Sequence, residues 1–284
     1  MTDKESAPAN IVPSSLTQVG ITMKYTLLDY FRSRRFFILL TITLLITVLL
    51  TSLVGYYRPT SFLASDLSFY ASWWGNSVTF VIVLSGIFFG GDAISGEFQN
   101  KTGYFGIPNP IKRSSVYIGK WLAAFLASTA ILAVFTLATI SNGLYYFGLN
   151  APYQFGESVL FAWFYLAAVL GFTFFFSSLF KSSAMSIIVT AILFLFVFSL
   201  IETLVSGLVQ FEPWFVLTYG SQIIGNILKV PYPPHSSVTN SIRPDGQPFT
   251  TYNVMVPEGL AIIALYFIIT AILGWVLFER KEFT

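Results

Sequence analysis

The feature that most limits what this chain can fold into is a series of apolar blocks, each about 20 residues or longer, with almost no charge inside them. Wound as helix, a block of that length matches the ~30 Å hydrocarbon layer of a bilayer. Inside that layer the chain must satisfy its own backbone hydrogen bonds, which leaves only helices and closed barrels. Barrel strands read as short segments of alternating polarity, and the sequence carries long unbroken apolar runs instead. The expected fold is an all-α polytopic membrane protein. Composition points the same way: 10% of residues are charged, against roughly a quarter in a soluble domain, so the chain lacks the polar surface to dissolve.

Six spans are predicted, at 36–56, 74–94, 116–144, 159–180, 184–208 and 260–278. Residues 1–14 are polar and expected to be disordered, and the block that starts at Phe36 is too long for the core of a cleavable signal. The absence of cysteine removes disulfides, thiolate chemistry and cysteine metal sites. The basic residues flank spans rather than gathering in a patch, so no nucleic-acid partner is expected.

The positions of those basic residues predict orientation. With the N-terminus inside, all 15 Lys and Arg except Arg58, Lys229 and Arg243 fall on the inner side, the bias that sets topology. Both ends are then expected in the cytoplasm of a multi-pass protein of the cell membrane. Trp73, Trp74, Tyr56, Tyr57, Tyr145, Tyr146 and Trp214 fall at the predicted outer span ends, where interfacial aromatics belong.

Two inner stretches are longer than topology requires. In 15–35, Leu16, Val19, Met23, Leu27 and Tyr30 recur at helical spacing while Lys24, Asp29 and Arg32 lie mostly elsewhere on the wheel. That pattern reads as an amphipathic helix on the inner membrane surface; an ordinary basic flank is the plainer alternative. The second stretch, 90–120, holds the most unusual polar run in the chain. Glu97 and Lys101 stand in the favourable i, i+4 order for a short helix leaving the second span. Gly103 and Gly106 allow the chain to turn, and Pro108 and Pro110 stop any helix. Lys112 and Arg113 sit where head groups or an acidic partner would meet them. A solvated loop with orienting charges fits the same pattern.

At this loop the chain resembles a permease of the type-2 exporter family of ATP-binding-cassette transporters. Permeases of that family have six spans, an amphipathic elbow helix before the first and a cytoplasmic helical loop after the second. The family's loop pattern of a glutamate, a Thr-Gly step, a proline, a basic residue and a closing Gly-Lys is filled here by Glu97, Thr102 with Gly103, Pro108 or Pro110, Lys112 with Arg113, and Gly119 with Lys120. The charged run 278–283 is similar to the family's exit from the sixth span. The sequence departs from the pattern where a leucine-rich stretch usually follows Thr-Gly, with Tyr104, Phe105, Gly106 and Ile107 in its place.

The resemblance implies that 15–35 is the elbow, that 95–115 is a coupling loop, and that 36–284 is a six-span domain with an outer cap at 209–257. It implies that Asp92, Glu97, Lys101, Thr102, Gly103, Pro108, Pro110, Lys112 and Arg113 serve an ATPase contact, with Glu97 anchoring the loop by an ion pair. It further implies a second permease copy or a close relative, and a separate ATPase subunit that binds the ATP and Mg. This chain has no G-x-x-x-x-G-K-[ST] loop of its own and is expected to be neither an enzyme nor a cofactor carrier. A membrane scaffold for a cytoplasmic partner would use the same loop.

A few residues stand apart. Glu202 lies in the fifth predicted span; a carboxylate there either faces a cavity or meets the interface where the span ends early. His235, the single histidine, lies in a Pro-rich loop with no metal-ligand spacing around it. Phe172, Phe174, Phe175 and Phe176 either line an apolar path or fill the bundle and face lipid. Gly86, Gly90 and Gly91 suit a close helix contact. The cap is expected to hold short helices such as 215–228.

Overall fold

In a computed structural model of the chain, residues 13–100, 112–148, 151–242 and 248–281 are described. Six helices are long and apolar enough to cross a membrane: Arg34–Tyr57, Asp66–Gln99, Arg113–Phe147, Tyr153–Leu179, Ser183–Val209 and Val256–Arg280. They are called spans one to six. Each runs beyond its predicted limits at one end or both, because polar residues at helix ends continue the backbone hydrogen bonding past the apolar run.

A surface helix, Ser15–Arg32, precedes them. Ser14 opens it, its Oγ accepting from the Thr17 N–H at 3.3 Å. Ser33 then makes the bend into span one: extended at φ −76° and ψ 145°, it donates from Oγ to the Tyr30 carbonyl at 2.7 Å and accepts from the Phe36 N–H at 3.3 Å. One serine thus closes one helix and caps the next. The helix lies along span three, and Gly119 is a point of close approach. A Cβ there would fall 2.7 Å from Thr22 Cβ and 2.9 Å from the Val19 carbonyl oxygen, so only glycine lets the two backbones come this close. The predicted stripe is divided by this packing. Val19, Met23, Leu27 and Tyr30 are half-buried, whereas Leu16 is exposed, and a second row of Ile21, Tyr25 and Leu28 faces outward.

Span two is the most buried of the six. It is not one straight helix: a π-helical turn at Ala71–Gly75 and a turn at residues 91–94 break it into segments. Because it begins at Asp66, Trp73 and Trp74 are carried into the bundle and are fully buried, against the interfacial position expected of them. Trp74 Nε1 donates to Ser158 Oγ at 2.9 Å, and that hydroxyl donates on to the Ile224 carbonyl at 2.5 Å. Tyr56, Tyr57, Tyr145 and Trp214 are exposed, as interfacial residues would be.

Span four is the axis of the packing, with spans two and six against it. The glycines of span two do permit close contact: a Cβ on Gly86 would lie 2.5 Å from Val169 Cγ1, and one on Gly90 would lie 2.0 Å from Thr173 Oγ1. Of the phenylalanines singled out in span four, Phe172 and Phe174 fill the bundle, while Phe175 and Phe176 are half-buried. Phe174 is fully buried against Tyr117, and Phe172 is enclosed by Phe194 and Phe198 of span five.

Beyond span five the chain forms a cap. Two one-turn helices, Leu217–Gly220 and Ile223–Asn226, fall within the predicted 215–228. They are followed by an antiparallel hairpin, β1 Ser236–Ile242 and β2 Pro248–Tyr252, with Ser236 opposite Tyr252 and a register shift between Thr239 and Ile242. The hairpin has no counterpart in the sequence reading, since its strands are rich in Ser, Thr and Asn and lack the apolar alternation that marks a half-buried strand.

Candidate functional site

At the end of the bundle that carries the surface helix and residue 281, the described ends of the segment joining spans two and three are held by every other span. Span two leaves the bundle through residues 91–94 into the single helical turn Ser95–Gln99. Two free N–H groups at that break, those of Ile94 and Ser95, donate to one buried acceptor, Ser177 Oγ of span four, at 2.9 and 3.0 Å. Buried backbone donors of this kind must find partners, and a serine on a neighbouring helix fixes where the segment departs. Gln99 Oε1 then accepts from the Ser183 N–H at 2.7 Å, which joins the same turn to the start of span five.

Two ion pairs complete the attachment. Asp92 meets Arg35, at the start of span one, with Nη1 2.6 Å from both carboxylate oxygens. Glu97 pairs with Lys120 of span three, whose Nζ also donates to the Ala93 carbonyl at 2.9 Å. Both carboxylates are largely shielded from solvent, where such pairs are less screened than on an open surface. Beside them Tyr30 donates its hydroxyl to the Phe89 carbonyl at 2.8 Å. Burial, and then the charge of Asp92, raise the Tyr30 phenol above its ordinary value, so it remains a donor.

The other end of the segment is anchored as firmly. The Lys112 N–H donates to Gln18 Oε1 of the surface helix at 3.0 Å, and Ser115 Oγ reaches the Ser15 carbonyl at 3.4 Å. Arg113 Nη1 donates to the carbonyls of Glu279 and Lys281 at 3.0 and 2.9 Å, which clamps the start of span three to the end of span six. Lys281 returns to span four, its Nζ on the Ser178 and Phe180 carbonyls at 2.9 and 2.7 Å and 4.3 Å above the Phe98 ring.

Of the residues singled out in sequence, Asp92 and Glu97 therefore anchor one described end of the segment and Lys112 and Arg113 the other. Lys101, Thr102, Gly103, Pro108 and Pro110 lie outside the described residues. The i, i+4 partner expected for Glu97 falls among them, and its described partner is Lys120 on span three rather than the elbow. The link to the surface helix's end of span one is made by Asp92. Arg113, read as a contact for an external partner, is engaged within the chain, while the Lys112 side chain is exposed. Sequence reasoning missed Arg35, Ser177 and Gln18, because their partners lie 57, 83 and 94 positions away. Gly119 and Lys120, noted only as a closing Gly-Lys, have separate mechanical roles: the glycine admits the surface helix, and the lysine meets Glu97.

At the opposite end, span five continues past Glu202 to Val209. The carboxylate faces the cap: Gln222 Nε2 donates to Oε1 at 2.5 Å and Thr218 Oγ1 to Oε2 at 3.2 Å. Nearby Thr79, Phe80, Val83, Phe194 and Leu195 line an open groove of about 220 Å³ between spans two and five, bordered by Thr218 and Ser221. His235 is exposed, as expected, but is not alone: its Nε2 lies 3.3 Å from Glu212 Oε2.

A family model described as ABC-2 family transporter protein matches residues 23–283. No curated protein matches the chain.

Proposed function

Since the chain belongs to the ABC-2 family of transporter proteins and is a membrane permease component, we propose that it is the pathway-forming subunit of an ATP-driven exporter and takes its motion from a separate ATPase. That ATPase would bind the ATP and Mg. The segment joining spans two and three would contact it, with both chain ends on the cytoplasmic side of the cell membrane.

The observation that carries this reading is the attachment pattern of that segment. A push delivered to a solvated loop would be dissipated in the loop. A push delivered to residues 95–115 meets Ser177 of span four, Ser183 of span five, Arg35 of span one, Lys120 of span three and, through Arg113, the end of span six. Short, shielded polar contacts transmit a displacement because packed interfaces change between discrete arrangements rather than deforming gradually. The bundle needs two packings whose balance the stroke shifts. The sequence holds no G-x-x-x-x-G-K-[ST] loop, which favours an external source of ATP hydrolysis.

A second copy would complete the assembly. Spans one and five are among the least buried of the six and flank the most buried, span two. Their exposed apolar residues, such as Leu45, Val48 and Leu49 of span one and Ile188, Ile192 and Leu195 of span five, would meet either lipid or that copy.

The test is reconstitution with a candidate ATPase subunit of the same transporter class. Glu97→Gln and Asp92→Asn are expected to leave the ATPase bound while separating its hydrolysis from turnover of the permease. A chain that captures no ATPase, or that binds one but transports nothing in any reconstituted system, would point to a membrane scaffold instead.

A further inference from the structure

Three chain segments that are far apart in sequence meet on the cap side of the bundle and bring Glu212, His235 and Glu258 together. Glu212 follows the end of span five, His235 precedes β1, and Glu258 is in the first turn of span six. One potential ligand atom from each lies within 4.8 Å of the others. The structure assigns this trio as a binding site for a divalent first-row transition metal, one that ties the cap to the outer ends of spans five and six.

The donor set suits such an ion. Two carboxylates and a neutral imidazole carry a charge that a divalent cation balances, and imidazole favours Zn, Cu, Fe or Ni over Mg or Ca. Bonds of ~2.0–2.2 Å in a tetrahedral site place neighbouring ligand atoms roughly 3.3 Å apart, and His235 Nε2 stands 3.3 Å from Glu212 Oε2. The Glu258 oxygen lies within 4.8 Å of both, and a small rotation of its side chain would bring it to that spacing. Further positions on the metal are open to water.

The carboxylates are also oriented from behind, as metal ligands are. Tyr219 donates its hydroxyl to Glu212 Oε1 at 2.6 Å, and the Met255 N–H donates to Glu258 Oε2 at 3.3 Å. Glu212 turns its other oxygen, Oε2, toward His235, and the Glu212 and Glu258 carboxyl groups are within hydrogen-bond reach of each other, a proton-sharing contact that a cation would replace. The main chain at His235 is fixed as well, its carbonyl accepting from the Asn253 N–H at 2.8 Å while Asn253 Nδ2 holds the Pro234 carbonyl at 2.9 Å. Among the described residues no lysine or arginine ion-pairs with either glutamate. Among the described residues His235 is the basic partner of Glu212, and with its imidazole neutral a divalent cation would balance the two carboxylates.

The single histidine and the absence of cysteine make the test direct. The full-length, untagged chain in detergent is titrated with Zn(II) by calorimetry, and Cu(II) is added separately for electron spin-echo spectroscopy. The expected result is one Zn(II) per chain, at least tenfold weaker binding in His235→Ala and in Glu258→Gln, and an imidazole modulation on bound Cu(II) that His235→Ala abolishes. Glu258→Gln retains an acceptor for the Met255 N–H, and His235→Ala removes an exposed ring, so both variants are expected to fold; equal melting temperatures without metal verify this. No Zn(II) binding at millimolar concentration, equal affinity in wild type and His235→Ala, or Ca(II) binding as tightly as Zn(II) would each overturn the assignment.

Discussion

The Glu97–Lys120 pair is the contact on which coupling should depend most directly, and its strength can be bracketed. The Lys120 and Glu97 side chains are 14% and 26% exposed. Fully exposed pairs contribute ~0.2–1 kcal/mol, and breaking a fully buried pair costs ~3–5 kcal/mol. A pair this shielded should therefore contribute about 1–2.5 kcal/mol, in part because Lys120 keeps the Ala93 carbonyl when the carboxylate is neutralised. The measurement is a double-mutant cycle of Glu97→Gln and Lys120→Met, reading thermal unfolding in detergent and ATPase activity of the reconstituted complex. The single variants should each lower stability, and the double variant should lose less than their sum by ~1–2 kcal/mol, well above the ~0.5 kcal/mol scatter of independent sites. Exchanging the two, Glu97→Lys with Lys120→Glu, should recover part of the coupling. Strictly additive losses would refute the claim that the two side chains act as one connection.

Other outcomes follow from the same geometry. Gly119→Ala places a methyl against Thr22 and the Val19 carbonyl, costing ~1–3 kcal/mol as overpacking does; faster proteolysis of the surface helix with the spans intact would report it, and an unchanged cleavage rate would count against the docking. At Glu202, the Gln variant still offers an acceptor to Gln222 or Thr218 and should change stability by less than about 1 kcal/mol, whereas Glu202→Leu strands both donors and should cost ~1–3 kcal/mol; loss of transport in Glu202→Gln at an unchanged melting temperature would instead assign its charge to the cargo path. Lys281 has its amine lowered to about 8, first by burial and then by Lys181. Below that pH the folded chain bears the cost of holding the charge, and the cost is relieved as pH rises from about 8 toward the unfolded value of 10.5. The melting temperature of wild type relative to Lys281→Met should accordingly rise across that window, and a flat difference would contradict it.

The spans were legible from sequence because lipid imposes one rule on every residue in them: apolar and helical for ~20 residues. The bend at Ser33 and the close helix contacts at Gly86 and Gly90 were foreshadowed by the elbow pattern and by the glycines themselves. The site was legible only in part. Asp92 and Glu97 stood out as carboxylates at a span end, but nothing local names Arg35 or Lys120 as their partners, since pairing across helices depends on how spans pack and rotate. Trp73 and Trp74 show the same limit, reading as interfacial at the end of an apolar run and becoming core once span two begins eight or so residues earlier than hydropathy suggests.

What the sequence determined alone was the number of spans, the apolar stretch at the centre of each and the polar segment between the second and third, all set by solvation of single residues. The tertiary structure decided which helix stands beside which. It thereby decided that Ser177 receives two N–H groups, that Arg113 closes on the chain's end, and that a histidine without neighbours in sequence lies between two glutamates. Those contacts join residues tens of positions apart, and close packing, which is a property of the assembled bundle, selects them.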